Sequence, residues 1–362
     1  MNSTLRDDLR DLAEQAPAVN LAERAVKGAR RRRAVRLAVS AAAATALLAG
    51  GGGVLVAELR AEPPIVMIPP ETTAPPLPAE GVGPLRHLYR TQRGDRVPPE
   101  KPSWRLVTRA GETYELRVDD GPLQVTADGR RIAYYSGERR AVVVRDLASG
   151  RIWTSPRRGA PDVTREPVLR LSPDGLRFVA TGWSGAEPDA LVDVERGTTT
   201  RLKRGWWPVS VADGAGPVVL ARPFDSTTRV QVLGHDPITV DAFTYEFSAL
   251  APDGRTLARL GQSYDRDRTP MIQKDGTVVT FDALSGGGET RVPISGLAEG
   301  LRPTWLGAWL NDAELTVVAT SPEPVRRAER PRAYALNVRT GATRELFTLP
   351  AESGVVMPGL VR

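Results

Sequence analysis

Side chains able to do nucleophilic, acid–base or metal chemistry are few in this chain of 362 residues, which has two histidines, His87 and His235, and no cysteine. Thiolate nucleophiles and His-rich metal sites are therefore excluded. A serine nucleophile needs a positioned base and a tight elbow, and Gly182-Trp183-Ser184-Gly185-Ala186 lacks the elbow's final glycine. His235 falls in Gly234-His235-Asp236-Pro237, which reads as a turn rather than as a general base. No phosphate-binding loop, dinucleotide fingerprint or His-Glu-x-x-His helix occurs. Asp119 with Asp120, and Asp265 with Asp267, offer oxygen ligands of the kind calcium prefers, but without the spacing of a calcium loop they read as solvated charge. Trp183 and the Trp206-Trp207 pair offer aromatic area for stacking on sugars or peptides. Neighbours on a strand point to opposite faces, so at most one of Trp206 and Trp207 packs between sheets. These residues support no catalytic, cofactor-binding or metal assignment, and no cofactor is expected. A channel-centred hydrolase or lyase is the least supported class.

The elements that would position any site are set by a degenerate repeat of roughly 40 residues. Its first half is an apolar run, an Asp-Gly turn and a second apolar run. Val125-Thr126-Ala127-Asp128-Gly129 leads into Ile132-Ala133-Tyr134-Tyr135, Leu171-Ser172-Pro173-Asp174-Gly175 into Phe178-Val179-Ala180, and Leu250-Ala251-Pro252-Asp253-Gly254 into Leu257-Ala258. A weaker copy has Asp213-Gly214, and Asp312-Ala313 stands where a fifth turn is due. The second half is a strand ending in a polar turn, as in Val142-Val143-Val144-Arg145-Asp146 before Ser149-Gly150 and Tyr334-Ala335-Leu336-Asn337 before Thr340-Gly341. Asp-Gly between apolar runs predicts a hairpin, because Gly accepts positive φ and Asp bonds its own backbone. Each unit thus reads as four short antiparallel strands, and such units cannot bury their faces alone. The turns step by 46, 39, 40 and 59 residues, and the last excess is assigned to a polar loop from Gln262 to Gly276. The segments around Trp104 and Tyr114, flanking Gly111, read as one more hairpin. The expected fold is all-β: a β-propeller over 83–362 of about six four-stranded blades, within a range of five to seven. A β-sandwich pair is the alternative. Either the segment near Trp104 or Val355-Val356-Met357 completes the last blade.

Ser172-Pro173-Asp174-Gly175 and Ala251-Pro252-Asp253-Gly254 resemble the turn joining the first two strands of a blade in TolB-type, WD-repeat-like β-propellers. Gly234-His235 is the one Gly-His pair, and Trp-Asp pairs do not occur.

The chain before residue 83 has a different character. Leu37 to Ala57 is 21 residues without a charge, about 30 Å as a helix and so the thickness of a bilayer core. Lys27, Arg30–Arg33 and Arg36 precede it, which places 1–36 in the cytoplasm and the chain after Ala57 outside the cell membrane. A cleaved signal is the alternative, though its apolar core is shorter. Seven prolines between Pro63 and Pro78 predict an extended linker over 58–82. Residues 1–36 carry a net charge of +4 of the chain's +6, so the positive charge is a topology signal and no nucleic-acid footprint lies on the propeller. Leu5, Leu9, Leu12 and Ala16 recur at helical spacing with Ser3 or Thr4 as a cap. This is either a short amphipathic helix for a cytoplasmic protein partner or a frayed tail. The Arg- and Ala-rich layout resembles membrane-anchored actinobacterial proteins, and its order of segments resembles membrane anti-sigma factors. The expected function is a single-pass, membrane-anchored extracytoplasmic propeller that binds a protein or cell-envelope ligand on its face. Transmembrane signalling, with residues 1–26 as the output, is the alternative.

Overall fold

The Asp-Gly turns form because each aspartate folds back on its own backbone. Asp128 Oδ1 accepts from Thr126 Oγ1 (2.6 Å) and from the Arg130 N–H (2.9 Å), and Gly129 takes φ +73°. Asp174 does the same with Ser172 Oγ (2.6 Å) and the Leu176 N–H (2.9 Å). Asp253 accepts from the Arg255 and Thr256 N–H groups, both at 2.8 Å. These bonds hold the Asp174 and Asp253 carboxyls below the usual range, against the opposing and largest effect of burial.

The computed structural model describes residues 74–359 apart from 92–102, 120, 163, 165, 184–188, 265–271, 323–329 and 350–353. The expected cytoplasmic segment 1–36, the span 37–57 and the linker up to residue 73 lie outside the described residues. Among the described residues no helix is long and apolar enough to cross a membrane.

The described strands make six antiparallel sheets. Strands β1 (Leu85–Arg90), β2 (Trp104–Thr108) and β3 (Thr113–Leu116) form one. The next is β4 (Leu123–Val125), β5 (Arg131–Ser136), β6 (Ala141–Asp146) and β7 (Ile152–Thr154), followed by β8 (Val168–Leu171), β9 (Arg177–Thr181), β10 (Ala190–Asp193) and β11 (Thr198–Arg201). The fourth is β12 (Trp207–Val211), β13 (Val218–Phe224), β14 (Thr227–Val232) and β15 (Ile238–Val240). The fifth holds β16 (Thr256–Tyr264), β17 (Ile272–Asp282) and β18 (Thr290–Pro293), and the sixth β19 (Arg302–Trp309), β20 (Glu314–Thr320), β21 (Arg332–Asn337) and β22 (Thr343–Thr348). Each sheet is a blade of a six-bladed propeller. In the β16–β18 blade the innermost position is taken by Phe247, bridged to Arg259, and the Ser248 N–H bonds Ala258 O at 2.8 Å.

The hydrophobic core is divided among the blade interfaces. Ala133, Val142 and Val144 meet Phe178, Ala180 and Val192 across one, and Val219, Val230 and Val232 meet Phe247, Leu257 and Phe281 across another. A strand buried on both faces reads as a continuous apolar run, hence Val142-Val143-Val144 in β6. The outermost strand β11 is exposed throughout and reads Thr-Thr-Thr-Arg. Arginines add polar latches between successive blades. Arg131 Nη1 donates to Asp174 O, and Arg177 Nη1 to Ala212 O (2.7 Å) and Gly216 O (3.2 Å).

The first and last described strands of the propeller close the ring together. Val356 bridges Leu88 antiparallel, with N–H···O bonds of 2.8 Å in both directions. The C-terminal segment is thus the innermost strand of the β1–β3 blade. Val355 and Met357 pack towards Val318 and Ala333, while Val356 packs with the Leu85, Leu88 and Leu106 cluster. The two candidates for completing the last blade therefore serve in one sheet.

Two local readings differ from expectation. Gln262 to Gly276 is not simply a loop, since β16 and β17 stay paired as far as Tyr264↔Ile272. Of its described side chains, Ser263 and Asp275 are exposed, while Gln262 and Lys274 are half-buried and donate to Phe243 O and Thr304 O. The expected linker also ends earlier, because residues 74–82 are docked on the blades. Pro76 bridges Glu115 of β3, the Val82 N–H bonds Leu147 O at 2.7 Å, and Arg145 Nη2 donates to Pro78 O. An edge position suits prolines, which have no N–H to offer a ladder. Gly150, at φ +74°, is required there because a Cβ would run into the Ala79 carbonyl.

Candidate functional site

The six innermost segments line a channel, and the loops entering them build its mouth at the end opposite the Asp-Gly turns. One cavity at this mouth, about 330 Å³, is lined by Leu123, Val168, Leu306, Val318 and Met357 among others. A second, about 550 Å³, is lined by Arg170, Trp207, Tyr245, Lys274 and Trp305 among others. A third, about 410 Å³, lies at the Asp-Gly end between Thr126, Ser172, Val211 and Ala251. Arg170 borders both the second and the third, so it sits at the waist of the channel.

The aromatic wall of the second cavity depends on one loop, 241–246. Thr228, fully buried on β14, anchors it by donating Oγ1 to Ala242 O (2.6 Å) and accepting from the Thr244 N–H (3.0 Å). Gln262 Nε2, on the extended hairpin, donates to Phe243 O at 3.1 Å. So held, Tyr245 lies 5.0 Å from Trp207 between ring centroids and 6.0 Å from Phe243 edge-on, within the range of favourable aromatic pairs. Tyr245 remains 45% exposed, a large aromatic presented to solvent. Lys274 pairs with Glu246 at 2.5 Å and donates to Thr304 O.

Arg170 differs from the other described charges that line the two mouth cavities, Glu166, Glu246 and Lys274. It is 7% exposed, and neither Nε nor Nη1 has an acceptor. Desolvation pushes its pKa down to about 10, which leaves it cationic at neutral pH. An aliphatic strand places it there, because Leu169 and Leu171 pack into the blade interface with Phe178. The alternation of a strand then turns Arg170 the other way.

The residues singled out from the sequence are not brought together. His87 is on β1 with its ring 5.9 Å from Tyr89, and His235 is in the turn after β14, its N–H bonded to Val232 O. Asp119 accepts from the Gly137 N–H at 2.7 Å, while Asp120, Ser184, Asp265 and Asp267 lie outside the described residues. Among the described residues no group of three His, Cys, Asp or Glu is placed to hold a metal. Trp183 is 3% exposed in a blade interface, with the Arg157 guanidinium 5.7 Å from its ring centre. Trp206 packs with Val179 and Leu220, and its neighbour Trp207 turns to the mouth. Arg170, Phe243, Tyr245 and Lys274 were not singled out. The available signal was Arg170 itself, a charge inside Val168-Leu169-Arg170-Leu171, where the repeat otherwise has apolar or small neutral residues.

No family model matches the chain, and no curated protein does. Among solved structures it is similar to TolB from Acinetobacter baumannii at 16% identity and a TM-score of 0.45, over 75% of this chain and 65% of that one. The Myceliophteria thermophila Cps50 (Swd1) β-propeller domain aligns at 13% identity and 0.40, over 74% and 88% of the two chains. Kuenenia stuttgartiensis hydrazine synthase aligns at 18% and 0.42, over 64% and 70%. The chain thus spans less than two thirds of that TolB, and what it shares with these proteins is a distant, low-identity likeness of propeller architecture.

Proposed function

We propose that this protein is a binding module, anchored in the cell membrane by Leu37–Ala57, whose extracytoplasmic propeller engages a protein or cell-envelope ligand at the channel mouth. The observation that carries the reading is the Trp207–Tyr245–Phe243 stack, open to solvent beside a buried cation. Rigid aromatics on a loop fixed by a buried threonine supply contact area at low entropic cost, the usual anchor of a recognition surface. The basic flank before residue 37 supports the orientation. The test is a photo-crosslinking residue placed at Tyr245 in the full chain, with Ser285 on the opposite face as the comparison. A discrete adduct from Tyr245 alone is the expected result, and adducts from Ser285 alone or equally from both would sink the assignment of the face. In the signalling alternative residues 1–26 hold a cytoplasmic protein, and deleting them abolishes output while leaving the Tyr245 adduct intact.

A further inference from the structure

We propose that the channel mouth is built to take a carboxylate bearing an apolar or aromatic substituent, with Arg170 as the anion receptor. This rests on the mouth being the binding face and goes further by naming the chemistry of the ligand. A guanidinium that is 7% exposed, with two nitrogens lacking acceptors, costs stability unless something compensates it. Nothing in the fold requires it, since Gln124 and Ser210 occupy comparable places on the inner strands beside it. Removing the cation from water also strengthens its pull on an incoming anion.

Among the described residues, the charges lining the cavity favour a monoanion. Lys274 is neutralised by Glu246 at 2.5 Å, which leaves Arg170 deep and Glu166 exposed at the rim. One buried cation whose Nε and Nη1 lack acceptors, with the Glu166 carboxylate at the rim, accepts a single negative charge and disfavours a phosphate dianion. Trp207, Tyr245 and Trp305 border the same cavity and offer apolar faces to the remainder of the ligand. At about 550 Å³ the space suits a small organic acid or the last residues of a peptide.

The experiment is calorimetric titration of the full chain with N-acetylphenylalanine, its carboxamide, inorganic phosphate, and a phenylalanine-ending tripeptide with a free or amidated C-terminus. The expected result is that the free acids bind at least about tenfold more tightly than their amides, about 1.4 kcal/mol. The tripeptide arm separates a peptide end from a free acid as the better source. Arg170→Met removes the discrimination without lowering the melting temperature, because it also removes a buried uncompensated charge. Arg204→Met, at an exposed site in the 202–206 loop, leaves the discrimination unchanged. The wild-type comparison of acid with amide stands without any variant, so a misfolded Arg170→Met does not obscure the answer. Equal binding of acid and amide, preference for phosphate, or no binding of any probe at millimolar concentration overturns the proposal. None of these bears on the Tyr245 crosslink, which reports separately on the face.

Discussion

Replacing Val356 with proline tests whether the C-terminal segment closes the ring. The substitution removes the N–H that donates to Leu88 O at 2.8 Å, and Leu88 is fully buried, so its carbonyl is left without a partner. An orphaned buried acceptor costs about 1–3 kcal/mol, and the lost hydrogen bond with a proline φ forced onto a strand adds about 1 kcal/mol more. The total is about 2–4 kcal/mol, a large share of the roughly 5–15 kcal/mol that holds a domain together. Proline keeps most of the apolar volume that valine packs against Leu85 and Leu106, so the effect isolates the ladder. Val356→Ala is the complement: it keeps both backbone bonds, trims a half-buried side chain and costs about 1 kcal/mol. Urea unfolding followed by tryptophan fluorescence measures both, since Trp305 packs beside Met357 in the neighbouring interface. At about 2–3 °C per kcal/mol the proline variant melts roughly 4–12 °C lower. If it loses no more than the alanine variant, the Val356 N–H bond does not hold the ring closed and the reasoning is wrong.

Arg177→Ala removes two charge-assisted bonds to Ala212 O and Gly216 O across a blade interface and destabilises the propeller by about 2–3 kcal/mol. A loss in thermal unfolding no larger than that of Arg204→Ala would show that the latch carries nothing. Asp213 accepts from the Asp174 N–H at 2.8 Å, and burial followed by the facing Asp174 carboxylate raises its pKa. A raised carboxyl contributes stability below its unfolded pKa, and that contribution is lost as pH rises through the folded value. Asp213→Asn keeps the acceptor, so it raises the melting temperature at pH 7 by an amount that vanishes below about pH 4. The gain stays under about 1 kcal/mol because the Asp213 carboxyl is only partly shielded from water. A variant less stable than wild type at pH 7 refutes the sign.

The blade was legible in the sequence because its causes are local. An Asp-Gly turn needs positive φ and a carboxylate that folds back two residues, as Asp128 and Asp174 do, and apolar runs on both sides of it demand cover on both faces. Repetition at a near-constant period then leaves a ring of about six as the way to provide that cover. The segment Gln262–Gly276 misled because strand patterning records side-chain burial, whereas the ladder here is kept by backbone pairing. The end of the linker was misjudged for a related reason: proline content reports the backbone's preference for extension, which a stalk and a docked edge segment share.

The site was decided in space. Trp207 and Tyr245 become neighbours only when the strand-to-strand loop 241–246 is folded back over β12, and Val356 meets Leu88 only when the first and last described strands of the propeller return to one blade. Sequence determined that Arg170 interrupts an apolar strand, which marks it as a charge in an unusual place. Whether that charge is neutralised depends on which acceptors five other blades bring near it. Because electrostatic compensation is a property of neighbours rather than of the strand that carries the residue, only the tertiary structure decided that the Arg170 Nε and Nη1 have no acceptor among the described residues.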